Sequence, residues 1–163
     1  MKTRIKLSIA LVPALLVWTT MGFAHSEHFT KNAQSPQKSY EFRTSVMTIY
    51  KWYLSPMGAM VKGKVKFDAK AFAESAKGLE TASSMNLLQG FPSESSEDEI
   101  DDSDAKPKIW KNFEDFEKKY KSLQIEAKAL AKIAKQGDEN SIKAQFKKTA
   151  ASCGTCHKAY KTK

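Results

Sequence analysis

The chain is short of the residues that usually staple a small fold or build a polar active site. Its only cysteines are Cys153 and Cys156, which excludes a disulfide-dense scaffold. It has three histidines, and two of them, His25 and His28, lie close to the start. Glycine (7) and proline (5) are too few for a collagen-like or low-complexity chain. With 41% apolar and 10% aromatic residues, the composition is not that of a disordered chain. No stretch beyond the first two dozen residues alternates with period two, so β-strands are not expected. A length of 163 residues suits one domain with one core.

Residues 1–24 read as a secretory signal peptide. Lys2, Arg4 and Lys6 give a positive start, Leu7 to Val17 an apolar stretch, and Gly22-Phe23-Ala24 a small-residue exit. The competing reading is an uncleaved membrane anchor, because the apolar run just reaches the minimum of about 18 residues for spanning. The small-residue exit and the polar sequence after it favour cleavage, with the mature chain starting at His25. This expectation places the protein outside the cytoplasmic membrane, in a bacterial periplasm, with no stable membrane insertion after cleavage.

The rest, residues 25–163, follows the helical period. Phe42, Val46, Ile49 and Tyr53 recur at three- and four-residue steps over 39–53, and Ser55-Pro56 is expected to weaken the helix there. A second helix is predicted over 68–87, with Asp68 as N-cap and Phe67 packing on Phe72 as a hydrophobic staple. The third, over 108–135, carries Phe113, Phe116, Tyr120, Leu123, Ala127, Leu130 and Ala134 on one face. Gly137 ends it. Asp138 then caps a fourth helix, in which Ile142, Phe146, Thr149, Cys153, Cys156 and Tyr160 share a side. The expected fold class is all-α, an antiparallel up-down four-helix bundle.

One connection is long. Between Ser93 and Asp104 stand seven acids and no base, within an acidic loop over 93–106. Like charges repel and extend a chain, so the expectation is a solvated, mobile loop, with cation binding or partner docking as the alternatives. The net charge is nevertheless +9, which leaves the helical body strongly basic. Without an aromatic-plus-basic motif, this charge reads as docking electrostatics and not as nucleic-acid binding.

Cys153-Gly154-Thr155-Cys156-His157 is the informative segment. On a helix turning about 100° per residue, Cys156 falls about 60° to one side of Cys153 and His157 about 40° to the other. Two thiols and an imidazole therefore share one wedge. This is what a haem needs when two thioethers hold it and an axial nitrogen reaches its iron. Three other readings compete. A thioredoxin-like pair wants a βαβ context, a disulfide along a regular helix leaves His157 without a role, and structural zinc needs about four ligands. All fit less well than one covalently attached haem c with its iron.

At this point the chain resembles the class II c-type cytochromes, the cytochrome c′ group. The marks are the C-terminal position of Cys-Gly-Thr-Cys-His with Lys-Ala-Tyr-Lys after it, and Tyr-Glu-Phe-Arg-Thr-Ser-Val-Met opening the first helix. Gly-Ala-Met-Val-Lys-Gly-Lys-Val-Lys-Phe-Asp leads into the second, and Lys-Pro-Lys-Ile-Trp precedes the third. The resemblance implies a four-helix bundle with the haem between its helices and His157 as proximal iron ligand. It implies that Arg43 lies near a haem propionate, against the bland reading of a solvated helix arginine. One turn on, Met47 stands where many members carry an apolar, non-ligating residue, and so resembles the low-spin members in which sulfur closes the sixth site. Core filling is the alternative for Met47.

The resemblance implies an exported carrier of single electrons and not an enzyme. The alternative is a binder of nitric oxide or carbon monoxide with an open or displaceable distal site. Lys147, Lys148, Lys158, Lys161 and Lys163 would steer an acidic redox partner, with Lys161 read as facing solvent. A homodimer through the first two helices, using Tyr50, Trp52 and Tyr53, is implied by relatives. Trp110 and Phe113 read as core packing near the haem edge, and copper chelation by His25 with His28 as a remote option.

Overall fold

A computed structural model describes residues 34–162; the segment read as a signal peptide, together with His25, His28 and Lys163, lies outside them. The described chain is all-α. Its helices are α1 (Pro36–Val61), α2 (Ala69–Ser83), α3 (Lys108–Lys111), α4 (Phe113–Ala134) and α5 (Glu139–Tyr160), with a 3-10 turn at Leu87–Gly90. The long helices α1, α2, α4 and α5 form the four-helix bundle. The starts of α2 and α5 follow the expectation: Asp68 accepts from Ala71 N at 3.0 Å and Asp138 from Ser141 N at 2.9 Å. Phe67 stacks on Phe72 with ring centroids 5.6 Å apart.

Three boundaries differ from the sequence reading. α1 does not end near Tyr53; it starts at Pro36, capped by Ser35, and runs through Pro56 to Val61. Pro56 lies on the exposed side while Met57 and Met60 beyond it are buried, so their burial offsets the lost backbone bond. α2 stops at Ser83 because a hydroxyl from another helix takes over its end. Tyr120 donates towards the carbonyls of Ser83 and Met85 and accepts from Leu87 N. The third stretch is two helices, broken at Asn112 (φ −136°, ψ 44°), whose side chain bonds back to Lys108 O at 3.2 Å. Trp110, at this break, donates to Pro92 O at 2.9 Å, and Phe113 is exposed, not core.

The acidic loop is the largest correction. It is folded onto the bundle: Ser95, Ser96, Ile100 and Ser103 are buried, and Ala105 pairs with Lys161 in an isolated bridge. Most of the acids are exposed while the small serines face in, and Asp102 and Asp104 lie along the cavity between α1 and α5. Lys161 is exposed, as expected, and pairs at the surface with Asp104 at 2.6 Å. Of the aromatics offered for a dimer, Tyr50 is buried, Tyr53 is half-buried and only Trp52, at 76% exposure, is a surface residue.

α1 packs on α2, α2 on α4 and α4 on α5, whereas α1 and α5 make little direct contact. The α1–α2 seam depends on Gly78. A Cβ there would lie 2.2 Å from the Tyr53 ring. Gly78→Ala gains about 1 kcal/mol of helix propensity, but overpacking costs more, and a net loss of about 2 kcal/mol is expected. Thermal or denaturant unfolding measures it. In a Tyr53→Ala background the same change becomes neutral or stabilising; a loss that persists there would place its origin elsewhere.

Candidate functional site

The missing α1–α5 contact is a cavity of about 890 Å³. Arg43, Met47, Tyr50 and Leu54 line it from α1, and Phe146, Cys153, Cys156 and His157 from α5. Leu87, Phe91 and Ile109 add apolar wall, and Lys51, Lys62, Lys64 and Lys119 stand at its edges. All five site residues expected from the sequence thus share one cavity, of a size typical for a bound organic group.

The α5 wall presents the three residues that the helical period put in one wedge. Cys153 and Cys156 are half-buried free thiols. Burial pushes the Cys156 thiol up to about 11 and raises that of Cys153, so both are held protonated at neutral pH. His157 reaches the cavity from the exposed side of α5. Desolvation at the wall, then the charge of Lys161, lowers its pKa and favours the neutral imidazole that binds metals. The readings that compete with haem gain no structural support. The chain has no βαβ unit among the described residues, the thiols are not bonded to each other, and no three His, Cys, Asp or Glu side chains gather there as a metal cluster.

On the α1 wall, Arg43 is only 5% exposed and its guanidinium is held by the acidic loop. Nη1 donates to Gly90 O (3.1 Å) and Ser95 Oγ (3.0 Å), and Nη2 to Ser95 O (2.6 Å) and Ser103 Oγ (2.7 Å). The rings of Phe91 and Tyr40 lie 4.9 and 5.4 Å from Cζ. It is therefore not a solvated helix arginine. None of its four acceptors is a carboxylate, and burial lowers its pKa, so the cation is held without a bonded counter-ion while it lines the cavity. An anionic group in the cavity would supply the missing counter-charge.

Met47 is 36% exposed and lines the cavity, so it is not core filler. Three residues on, Tyr50 is 4% exposed, and its hydroxyl is the buried side-chain polar atom without a partner among the described residues. Burial, then Tyr120, raises its pKa. An orphan hydroxyl of this kind costs about 1–3 kcal/mol, as expected where a cavity is shaped for an occupant. An apolar slot with two thiols, an imidazole, a thioether and an unneutralised arginine fits a porphyrin with carboxylate substituents.

Sequence reasoning missed Tyr50 as cavity wall, although its three-residue step from Met47 puts both on one face. It also missed Ser95 and Ser103, which hold Arg43. Nothing distinguishes those serines locally from their neighbours in an acidic run.

Comparison with known proteins agrees with this geometry. The family described as cytochrome c′ matches residues 38–161. A cytochrome c-554 from Cereibacter sphaeroides is 30% identical over 133 residues, covering 82% of this chain and 99% of that protein. The solved cytochrome c prime from Shewanella frigidimarina is 36% identical with a TM-score of 0.75, covering 81% of this chain and all of that one. A nitric oxide complex of a mutant cytochrome c prime from Alcaligenes xylosoxidans is 28% identical with a TM-score of 0.69, covering 78% of this chain and 97% of that one.

Proposed function

The chain belongs to the cytochrome c′ family of class II c-type cytochromes, with one covalently attached haem c, and from that premise we propose that it carries single electrons between protein partners. Haem c supplies a one-electron iron couple. The chain's own residues do the rest. Cys153 and Cys156 on α5 would hold the group as thioethers, His157 would offer it an imidazole nitrogen, and Met47, across the cavity on α1, would offer its sulfur. Arg43 would supply the counter-charge to a propionate. Leu87, Phe91 and Phe146 give the cavity an apolar wall against which the group would pack. This reading is of a carrier, not an enzyme.

The observation that carries the proposal is the placement of Met47 and His157 on opposite helices of one cavity. Visible spectra of the purified ferric and ferrous protein test it. A low-spin, six-coordinate spectrum in both states is expected; a high-spin spectrum with rapid carbon monoxide binding would overturn it. That outcome would favour the second reading, a binder of nitric oxide or carbon monoxide. The partial exposure of Met47 supports it, since a sulfur at an open wall is displaceable, and a relative has been solved with nitric oxide bound.

Exposed Lys147, Lys148 and Lys158 on α5, with Lys51, Lys62 and Lys64 at the cavity edge, suit a partner with an acidic face. Lys161, also exposed, pairs with Asp104 at the surface. The signal-like residues 1–24 support export to a bacterial periplasm, and no helix among the described residues is long and apolar enough to cross a membrane. Trp52 with Ile49 on the outer face of α1 supports homodimerisation, which sedimentation would read.

A further inference from the structure

Helices α1 and α5 form the two walls of the haem cavity yet barely touch, so their spacing is set indirectly, by the packing through α2 and α4 and by what joins them at the cavity itself. The acidic loop joins them through consecutive residues. Ser103 Oγ accepts from Arg43 Nη2 of α1 at 2.7 Å, and the Asp104 carboxylate pairs with Lys161 Nζ, just past the end of α5, at 2.6 Å. Backbone bonds reinforce the α5 side: Thr162 N donates to Asp104 O at 2.8 Å and Lys106 N to Tyr160 O at 3.0 Å. A parallel link runs from Ser95, which holds Arg43, to Glu97, whose carboxylate accepts from Thr162 Oγ1.

We infer that the Ser103–Asp104 step is a tie-bar that fixes the width of the cavity and thereby positions Met47 against His157. Arg43 lies one helical turn before Met47, and Lys161 one turn after His157, so the tie grips each wall next to its iron-facing residue. Adjacent Cα atoms stand about 3.8 Å apart, a span with almost no slack. The inserted acids keep the outer surface soluble while the buried serines make the grip. Ser95, Ser103 and Asp104 are positioning residues and touch no haem atom in this role. Only the consequence for the sixth ligand rests on the reading of Met47 given above.

Lengthening the tie tests it better than cutting it, because both anchors survive. In the holoprotein, one glycine is inserted between Ser103 and Asp104 and a second between Ser95 and Ser96. The second lengthens the parallel link as well, because Glu97 reaches the α5 side both through Thr162 Oγ1 and through its N–H to Ala105 O (2.8 Å). The control is one glycine between Asp101 and Asp102, inside the side loop whose two ends are both held by Arg43. Spin labels on Thr48→Cys and Lys148→Cys, both exposed, read the separation of the walls. The tie variant is expected to widen or broaden that separation by about 3 Å, one extended residue, while the control leaves it unchanged. It also gains high-spin character and binds carbon monoxide about tenfold faster, as a larger fraction of molecules holds the sixth site open.

Unchanged separation, or equal widening in the control, overturns the tie. Widening with an unaltered spectrum divides two failures. If Met47→Ala alone moves the spectrum, the tie does not position the sulfur and that part of the inference falls; if Met47→Ala leaves it unmoved, the reading of Met47 falls and the tie stands.

Discussion

Replacing Cys153 and Cys156 together by alanine is expected to yield a protein that loses its pigment to acid-acetone extraction and no longer unfolds cooperatively. The first half follows from chemistry, since without thioethers the group is held only by axial bonds and contacts. The second half follows from the cavity. Once the group is lost, the apolar walls of a cavity of about 890 Å³ face solvent instead of a packed filling, and an ordinary domain has only about 5–15 kcal/mol of stability to set against that lost burial. The apo chain is therefore expected to lose the fixed spacing of α1 and α5. Helical circular dichroism should survive in part, because α2, α4 and α5 pack on one another without the haem. Sharp thermal melting should vanish and dye binding to exposed apolar surface should appear. A sharp melt at the wild-type temperature would show that the haem contributes no structural wall. Single replacements separate the bonds: either thioether alone should retain colour on extraction.

How much of this was legible beforehand varies with the physics. The bundle was, because burial on one helix face leaves a 3.6-residue imprint that Phe116, Tyr120, Leu123, Ala127 and Leu130 carry openly. The attachment motif was too, since its chemistry depends on spacing along one helix. The helix ends were less so. α1 passes Pro56 because Met57 and Met60 are buried across the bundle, and α2 stops where Tyr120 intervenes from another helix. The acidic loop was misread because charge patterning registers the seven acids and not the serines between them. Ser95 and Ser103 matter only through Arg43, some fifty and sixty residues away in the chain, and a pair that distant leaves no local trace. The same holds for Lys161, whose partner Asp104 belongs to a segment that composition alone assigns to solvent.

Met47→Ala is the second large effect, and it separates packing from ligation because the two predict different magnitudes in different observables. Truncating a fully buried methionine costs about 2–5 kcal/mol, but Met47 is 36% exposed and faces a cavity, so a packing role is worth about 1 kcal/mol or less. Unfolding should barely move. The spectrum should change completely, from low-spin to high-spin, and the reduction potential should fall as the thioether that favours the reduced state is lost. Carbon monoxide affinity gives the size of the effect. If sulfur ligation is favoured by about 2 kcal/mol, only about 3% of molecules present an open sixth site, and its removal raises apparent affinity about thirtyfold. Met47→Leu keeps the volume without the donor sulfur and should behave as Met47→Ala in the spectrum while binding gas less readily, because the side chain still occupies the approach. If both variants keep a low-spin spectrum, the sixth ligand is not Met47. Tyr50 would then be the next group to replace, since it lines the same helix face and its buried hydroxyl has no partner among the described residues.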